Sequence, residues 1–365
     1  MSMVGLHSTT PATVYLSAWA RVEGFEPPQM ADALYTQRSI VKQLAMRRTV
    51  FALPVEILRE SVGAIGARVA ASERTNLLRD LRRAEEFTDP DAWIDGACEA
   101  ISAAVAQGEA YTSAQLREQL PEWNRSVIVS PGKSYGGPSP LLPRILNMMS
   151  AAGLIVRGPN LGGWHLSRPQ WSSMTHWLGA PLNPPETAAA HTAMVARWLG
   201  AFGPGTETDL MWWLGSTKTA VRASLAALMV QEVDLDDGSV GYLLADDELL
   251  DQPARPQRPR PQALLLPELD PTTMGHKQRG FYLGDHATKI FDRNGNGGQT
   301  VWWDGRIVGG WHRDDNGHIK AMVFEDLPAA AHKQITRRAA ELAEWLGDVT
   351  VRPGFPPPFI RDMQS

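Results

Sequence analysis

Cysteine is almost missing from this sequence. Cys98 stands alone in 365 residues, which excludes an internal disulfide and any zinc site built on thiolates. The nine histidines are scattered, and no His-x-x-x-His pair falls on a predicted helix. Neither a metal nor a cofactor is therefore expected. Long apolar runs are missing too. None approaches the ~18–20 residues of a membrane helix, and residues 1–7 lack the basic and apolar regions of a secretory signal. A cytoplasmic protein with no membrane partner is expected. Nor is there an excess of positive charge. Lys and Arg number 35 against 40 Asp and Glu, a net charge of −5, which excludes a uniformly basic, histone-like chain. A basic face on an acidic protein remains compatible with that figure.

What is present is globular, with 43% hydrophobic and 21% charged residues. The length suggests two or three structural units. Thirteen tryptophans are many for such a chain, and their plainest use is as large core aromatics.

One grammar occurs twice. Ala92–Gln107 has helical periodicity, and Tyr111–Leu120 is a short helix capped by Thr112 or Ser113. Leu142, Ile145, Leu146 and Met149 mark a third helix, with Gly153 at its left-handed end. Leu154–Arg157 reads as a strand, residues 158–163 as a turn, and Trp164–Leu166 as the returning strand. The second copy has helix Thr187–Phe202 and a short helix capped by Thr206 or Thr208. A third helix follows over Ser216–Met229. Its hairpin joins Val233–Leu235 to Val240–Leu243 through Asp237-Gly238. Helix, helix, helix, hairpin is the winged-helix order, and two copies suggest a tandem array.

Upstream, Met30–Tyr35 and Ser39–Ala45 are expected to be helical, Arg47–Leu53 a strand, and Pro54–Glu86 a long helix. Gln252–Gln262 is proline-rich and reads as an extended linker. Beyond it, strands are expected at Ala263–Leu266, Gly280–Leu283, Gln299–Trp303, Arg306–Trp311 and Ile319–Phe324, followed by helix Ala329–Leu346. The expected class is α+β: tandem winged-helix units, then a small β-barrel-like domain and a C-terminal helix. The divisions are 1–87 for a truncated first winged helix with its connecting helix, 88–180 for the second and 181–251 for the third. Residues 263–327 form the β-rich domain, and 328–365 the C-terminal helix and tail.

A winged helix usually places its third helix in the major groove of DNA. Lys133, Ser134, Ser139, Arg144 and Asn147 in the first copy are suited to phosphate and base-edge contacts, as are Ser216, Lys218, Thr219 and Arg222 in the second. Residues 38–83 carry ten Lys and Arg against four Asp and Glu. That stretch is either a phosphate-facing surface or a helix face laced with Glu–Arg pairs. Pro131-Gly132-Lys133-Ser134 is not a P-loop, since Val127 stands where the motif needs its first glycine. Gly295-Asn296-Gly297-Gly298 lacks the strand–turn–helix context of a dinucleotide site and reads as a turn.

Several segments together resemble a known family. They are Gly5-Leu6-His7-Ser8-Thr9, Tyr15–Val22 and Leu44-Ala45-Met46-Arg47-Arg48-Thr49. Trp198–Pro204 and Leu210–Trp213 belong with them, as do Leu264–Pro271, Gly275-His276-Lys277-Gln278-Arg279 and Phe291–Asn296. The family is the bacterial winged-helix DNA glycosylases typified by AlkZ and YcaQ, and the resemblance covers nearly the whole chain. It implies a concave surface for double-stranded DNA and removal of alkylated or crosslinked bases; a monomer is expected. Arg47, Arg48, Lys133, Arg144, Lys218, Arg222, Lys277 and Arg279 are then the expected DNA contacts. The family's catalytic motif is Gln-x-Gln or Gln-x-Asp after Gly-Leu, and here those positions hold His7 and Thr9. They are a variant catalytic pair, or they mark a member that binds without cutting, such as a transcriptional regulator. The resemblance also implies a longer segment before this motif. Seven residues from a free end is poor support for a catalytic group unless Tyr15 and Trp19 pack the next helix down. Excision is expected to be slow in a chain that starts at Met1, with His7 and Thr9 near Arg47.

Overall fold

The computed structural model describes residues 3–84, 86–130, 132–133, 136–251 and 260–364. Most of the linker over Gln252–Gln262 and the candidate contact Ser134 lie outside the described residues. The chain divides into two compact units, one of residues 31–194 and one of residues 1–30 with 195–365.

The unit of residues 31–194 is built on five antiparallel strands. They lie side by side in the order Val50–Pro54, Ile40–Leu44, Ile155–Asn160, Pro169–Ser173, Tyr111–Thr112. Helices Ala67–Arg83, Pro90–Ala104, Ser113–Gln119 and Leu141–Ala151 share one core, in which Leu77, Ile94, Ile101, Leu116, Leu142, Ile145, Leu146 and Trp171 are buried. The caps follow the sequence. Thr112 and Gln115 form a reciprocal capping box, and Gly153 takes the left-handed φ of +75° that a side chain would resist. Two expectations fail here. Ser39–Ala45 is not helical, because Ile40–Leu44 is an inner strand paired on both sides. A strand buried among neighbours loses its alternation, and periodicity cannot separate it from a buried helix. The returning strand is not Trp164–Leu166 but Pro169–Ser173, because Gly158-Pro159 rides within the preceding strand at a register shift instead of turning it. A hairpin of Ser126–Val129 with Gly137–Pro140, not expected from the sequence, sits between the second and third helices.

In the other unit, helices Glu207–Leu214 and Lys218–Ala227 lead into the hairpin Val230–Asp234/Val240–Leu244. Thr206 and Asp209 cap the first reciprocally, Gly215 ends it at φ +58°, and Thr217 caps the second. The expected span Ser216–Met229 is thus trimmed at both ends. Where a barrel-like domain is expected, Ala263–Leu266, Thr300–Trp303, Arg306–Arg313 and Ile319–Val323 form an open antiparallel meander in chain order. Helix Ala329–Leu346 packs on both its end strands. Gly280–Leu283 is a helical turn, not a strand, closed by the Gly284 N–H donating to the Gly280 carbonyl over 2.9 Å. Trp198, Trp213, Trp302 and Trp311 are all buried in this unit, in keeping with tryptophan as a core residue.

Candidate catalytic and nucleic-acid-binding residues

His7 ends a two-residue strand, Leu6–His7, and is 2% exposed. Thr9 follows at the approach to helix Pro11–Trp19, where Pro11 supplies the φ that a first helical turn needs. The Thr9 N–H donates to His7 Nδ1 over 3.4 Å, near the long limit of a hydrogen bond. An accepting Nδ1 leaves Nε2 as the ring nitrogen that can carry a proton.

The support that the sequence left in doubt comes from far along the chain. The Thr13 hydroxyl donates to the Glu268 carbonyl over 3.2 Å, and the Ser17 hydroxyl donates to Asp270 over 2.7 Å. One turn on, Arg21 grips both Asp270 oxygens, at 2.8 and 2.6 Å. Asp270 is 0% exposed, and it also accepts the Thr272 N–H. Glu268 is buried and accepts the N–H groups of Gly354 and Phe355. Burial pushes its carboxyl up, against those hydrogen bonds and one from Thr10. Tyr15 is buried, while Trp19 lies between Trp345 and the Arg338 guanidinium. The helix after His7 is therefore fixed along its length. Glu268 and Asp270 are the residues that sequence reasoning missed. Their signal was two carboxylates inside the apolar run Leu264–Pro271.

The eight basic residues fall into different situations. Arg47 and Arg48 turn the chain between Ile40–Leu44 and Val50–Pro54, both in the left-handed region at φ 53° and 61°. Such values are uncommon for any residue but glycine, and two in succession hold the turn in one shape. Arg48 pairs with Glu73, and Arg47 is half-buried. Lys133 is exposed on its hairpin. Arg144 is held by Asp80 at 2.8 Å and largely covered. Lys218 and Arg222, both exposed, share Glu207 at 3.7 and 2.7 Å. Lys277 is exposed, and Asp209 fixes its backbone by accepting the N–H groups of Lys277 and Gln278. Arg279 stacks on Trp212 and Phe291, and burial lowers its guanidinium from the usual value. Of the basic stretch 38–83, Arg48, Arg74, Arg79 and Arg82 meet carboxylates, which favours the paired reading of those four.

Among the described residues, no group of three His, Cys, Asp or Glu is placed to hold a metal, and no helix is long and apolar enough to cross a membrane. Burial holds the Cys98 thiol up at about 11, so it is not a reactive thiolate at neutral pH.

No curated protein sequence matches the chain. Among solved structures, Streptomyces sahachiroi DNA glycosylase AlkZ has a similar fold, with a TM-score of 0.68 at 19% identity. The match covers 94% of this chain and 89% of that one. The family described as AlkZ-like DNA glycosylases matches residues 1–345, and over that span this chain belongs to it.

Proposed function

We propose that this protein is a DNA glycosylase-like repair or resistance protein that binds duplex DNA as a monomer and acts on alkylated or crosslinked bases. In this reading, residues 88–180 and 181–251 are winged helices, 1–87 holds elements of another with its connecting helix, 263–327 is the β-rich domain, and 328–365 is the C-terminal helix and tail. The observation that carries the reading is His7, buried at the family's motif position on the strand just before a helix tied down by Glu268 and Asp270.

Excision breaks the bond between the base and C1′ of the sugar, whose electron pair leaves with the base, and water adds to C1′ as positive charge develops there, giving up one proton to bulk water. An alkylated purine cation leaves as a neutral base, so the step makes little demand on a general acid. His7 Nε2–H and the Thr9 hydroxyl supply hydrogen bonds to hold the water or an adjoining phosphate oxygen. The variant His-x-Thr pair itself favours a second reading, a DNA-binding regulator without chemistry. Lesion-dependent release of free base supports the enzyme, whereas a gel shift on a defined operator with no base release supports the regulator.

Binding through phosphates has its own signature. Lys133 and Lys277 are exposed and positioned by short backbone turns, while Arg144 is committed to Asp80. Affinity for duplex DNA is expected to fall steeply with salt, and Lys133→Ala and Lys277→Ala each to lessen the log–log slope by about 0.9. Arg144→Ala is expected to act chiefly by destabilising the fold. Fluorescence anisotropy across a salt series reads this directly, and a slope near zero for the unaltered protein would count against DNA binding.

A further inference from the structure

Within the unit of residues 31–194, two cations face each other across the sheet. Lys42 lies directly opposite Arg157 in the pairing of Ile40–Leu44 with Ile155–Asn160. Opposed residues on antiparallel strands point to the same face, and like charges placed so destabilise the sheet. Lys42 is 6% exposed, and its ammonium donates to the Tyr35 hydroxyl over 2.7 Å. Arg157 stacks on Trp171 at 4.4 Å and donates to Asn147 Oδ1 over 2.7 Å. Both described hydrogen bonds run to neutral groups. Arg157 Nε is buried with no hydrogen-bond partner.

The elements packed on the Lys42 strand carry other charges: Asp32, Glu56, Arg59, Glu60 and Arg144. Among the described residues none of them forms an ion pair with Lys42 or Arg157, and Arg144 is committed to Asp80. Burial and then the Arg157 charge bring its ammonium down to about 7. Two cations with spare donors and no compensating acid make a site that an anion would complete. An oxyanion there would turn a repulsive pair into charge-assisted hydrogen bonds. Tyr35, Asn147 and Arg157 are half-buried rather than sealed.

We infer that Lys42 and Arg157 form a binding site for a phosphate-type oxyanion, filled in function by one backbone phosphate of duplex DNA. The DNA half of this inference rests on the function proposed above; the oxyanion half does not. The arrangement predicts opposite effects of one substitution on stability and on binding. Lys42→Met removes a buried charge and is expected to raise the thermal midpoint at pH 6, yet to weaken duplex binding about tenfold, the loss of one charged hydrogen-bonded contact. A merely structural lysine would not separate the two readouts. Lys42→Arg, which keeps the charge, is expected to retain most of the affinity.

The test uses the full chain, unaltered and as these two variants, in two arms at fixed ionic strength. In the first, inorganic phosphate is titrated against the thermal midpoint. Phosphate should stabilise the unaltered protein more than Lys42→Met, and equal stabilisation of both would overturn the oxyanion site. In the second, duplex affinity is measured. Equal affinity and salt slope for the unaltered protein and Lys42→Met would overturn the assignment to a DNA phosphate, and with phosphate protection intact would leave free phosphate as the ligand. Failure of the unaltered protein to bind any duplex would instead defeat the proposed function and the DNA half with it, while the phosphate arm still decides the oxyanion site.

Discussion

Asp270→Ala is expected to cost about 3–5 kcal/mol of stability, the loss that follows when one partner of a buried ion pair is removed. The carboxylate is sealed from solvent and accepts hydrogen bonds from the Ser17 hydroxyl, from both arms of Arg21 and from the Thr272 N–H. Burial alone would make the Arg21 guanidinium easier to deprotonate, and the charge and hydrogen bonds of Asp270 more than reverse that. Without Asp270, Arg21 is left with a charge and no counter-ion, and helix Pro11–Trp19 loses its tie through Ser17. Asp270→Asn keeps the shape and should cost less. Urea denaturation followed by tryptophan fluorescence gives the energies. Amide hydrogen exchange over residues 6–19 should accelerate in the alanine variant by far more than in the Lys42 variants. A loss below about 1 kcal/mol, the range of surface ion pairs, would show that Asp270 does not anchor this helix.

Stability should also rise with pH above neutrality, on account of Lys42. Its ammonium titrates near 7 in the fold, against 10.5 for an ordinary lysine. Between those values the unfolded chain binds a proton that the folded chain does not, so raising the pH favours the folded state. Below pH 7 both states are protonated and the penalty for burying the charge is fully present. Above 10.5 both are neutral and the penalty is gone. The penalty is a few kcal/mol. Lys42→Met should therefore be more stable than the unaltered protein at pH 6, by on the order of 2 kcal/mol once the lost Tyr35 hydrogen bond is counted. The advantage should shrink steadily toward pH 10. Because groups away from this pair titrate equally in both proteins, the difference between them isolates Lys42 together with its coupling to Arg157. A difference that does not change between pH 6 and pH 10 would refute a depressed Lys42.

The sequence made local features legible and left long-range ones hidden. Helices Thr187–Phe202 and Ala329–Leu346, the caps at Thr112 and Thr206, and the left-handed Gly153 could be read because cap, periodicity and breaker lie within a few residues of one another. Ile40–Leu44 could not, since it becomes a strand by pairing with residues more than a hundred positions away as well as with its neighbour. The hairpin of Ser126–Val129 with Gly137–Pro140 has Ile128 exposed and two prolines in its second strand, so no apolar alternation announced it. The candidate site divides the same way. His7 and Thr9 were found as a short motif, but what holds them, Glu268 and Asp270, is joined to them only by folding. Charge partners behave likewise: Glu73 for Arg48 and Asp80 for Arg144 are distant in sequence, and the pairings decide which cations stay available.

The central claim, that His7 serves base excision on bound DNA, is tested by incubating the full chain and its His7→Ala variant with alkylated duplex DNA and measuring free base. The account predicts lesion-dependent release by the unaltered protein, slowed about a hundredfold or more in the variant, the usual worth of a positioned proton-transfer or water-holding group. Duplex affinity should be nearly the same for both. Equal release by the two proteins would remove His7 from the mechanism. Tight binding by both, with no release from any alkylated or crosslinked duplex, would contradict the excision claim and leave a protein that binds DNA without cutting it.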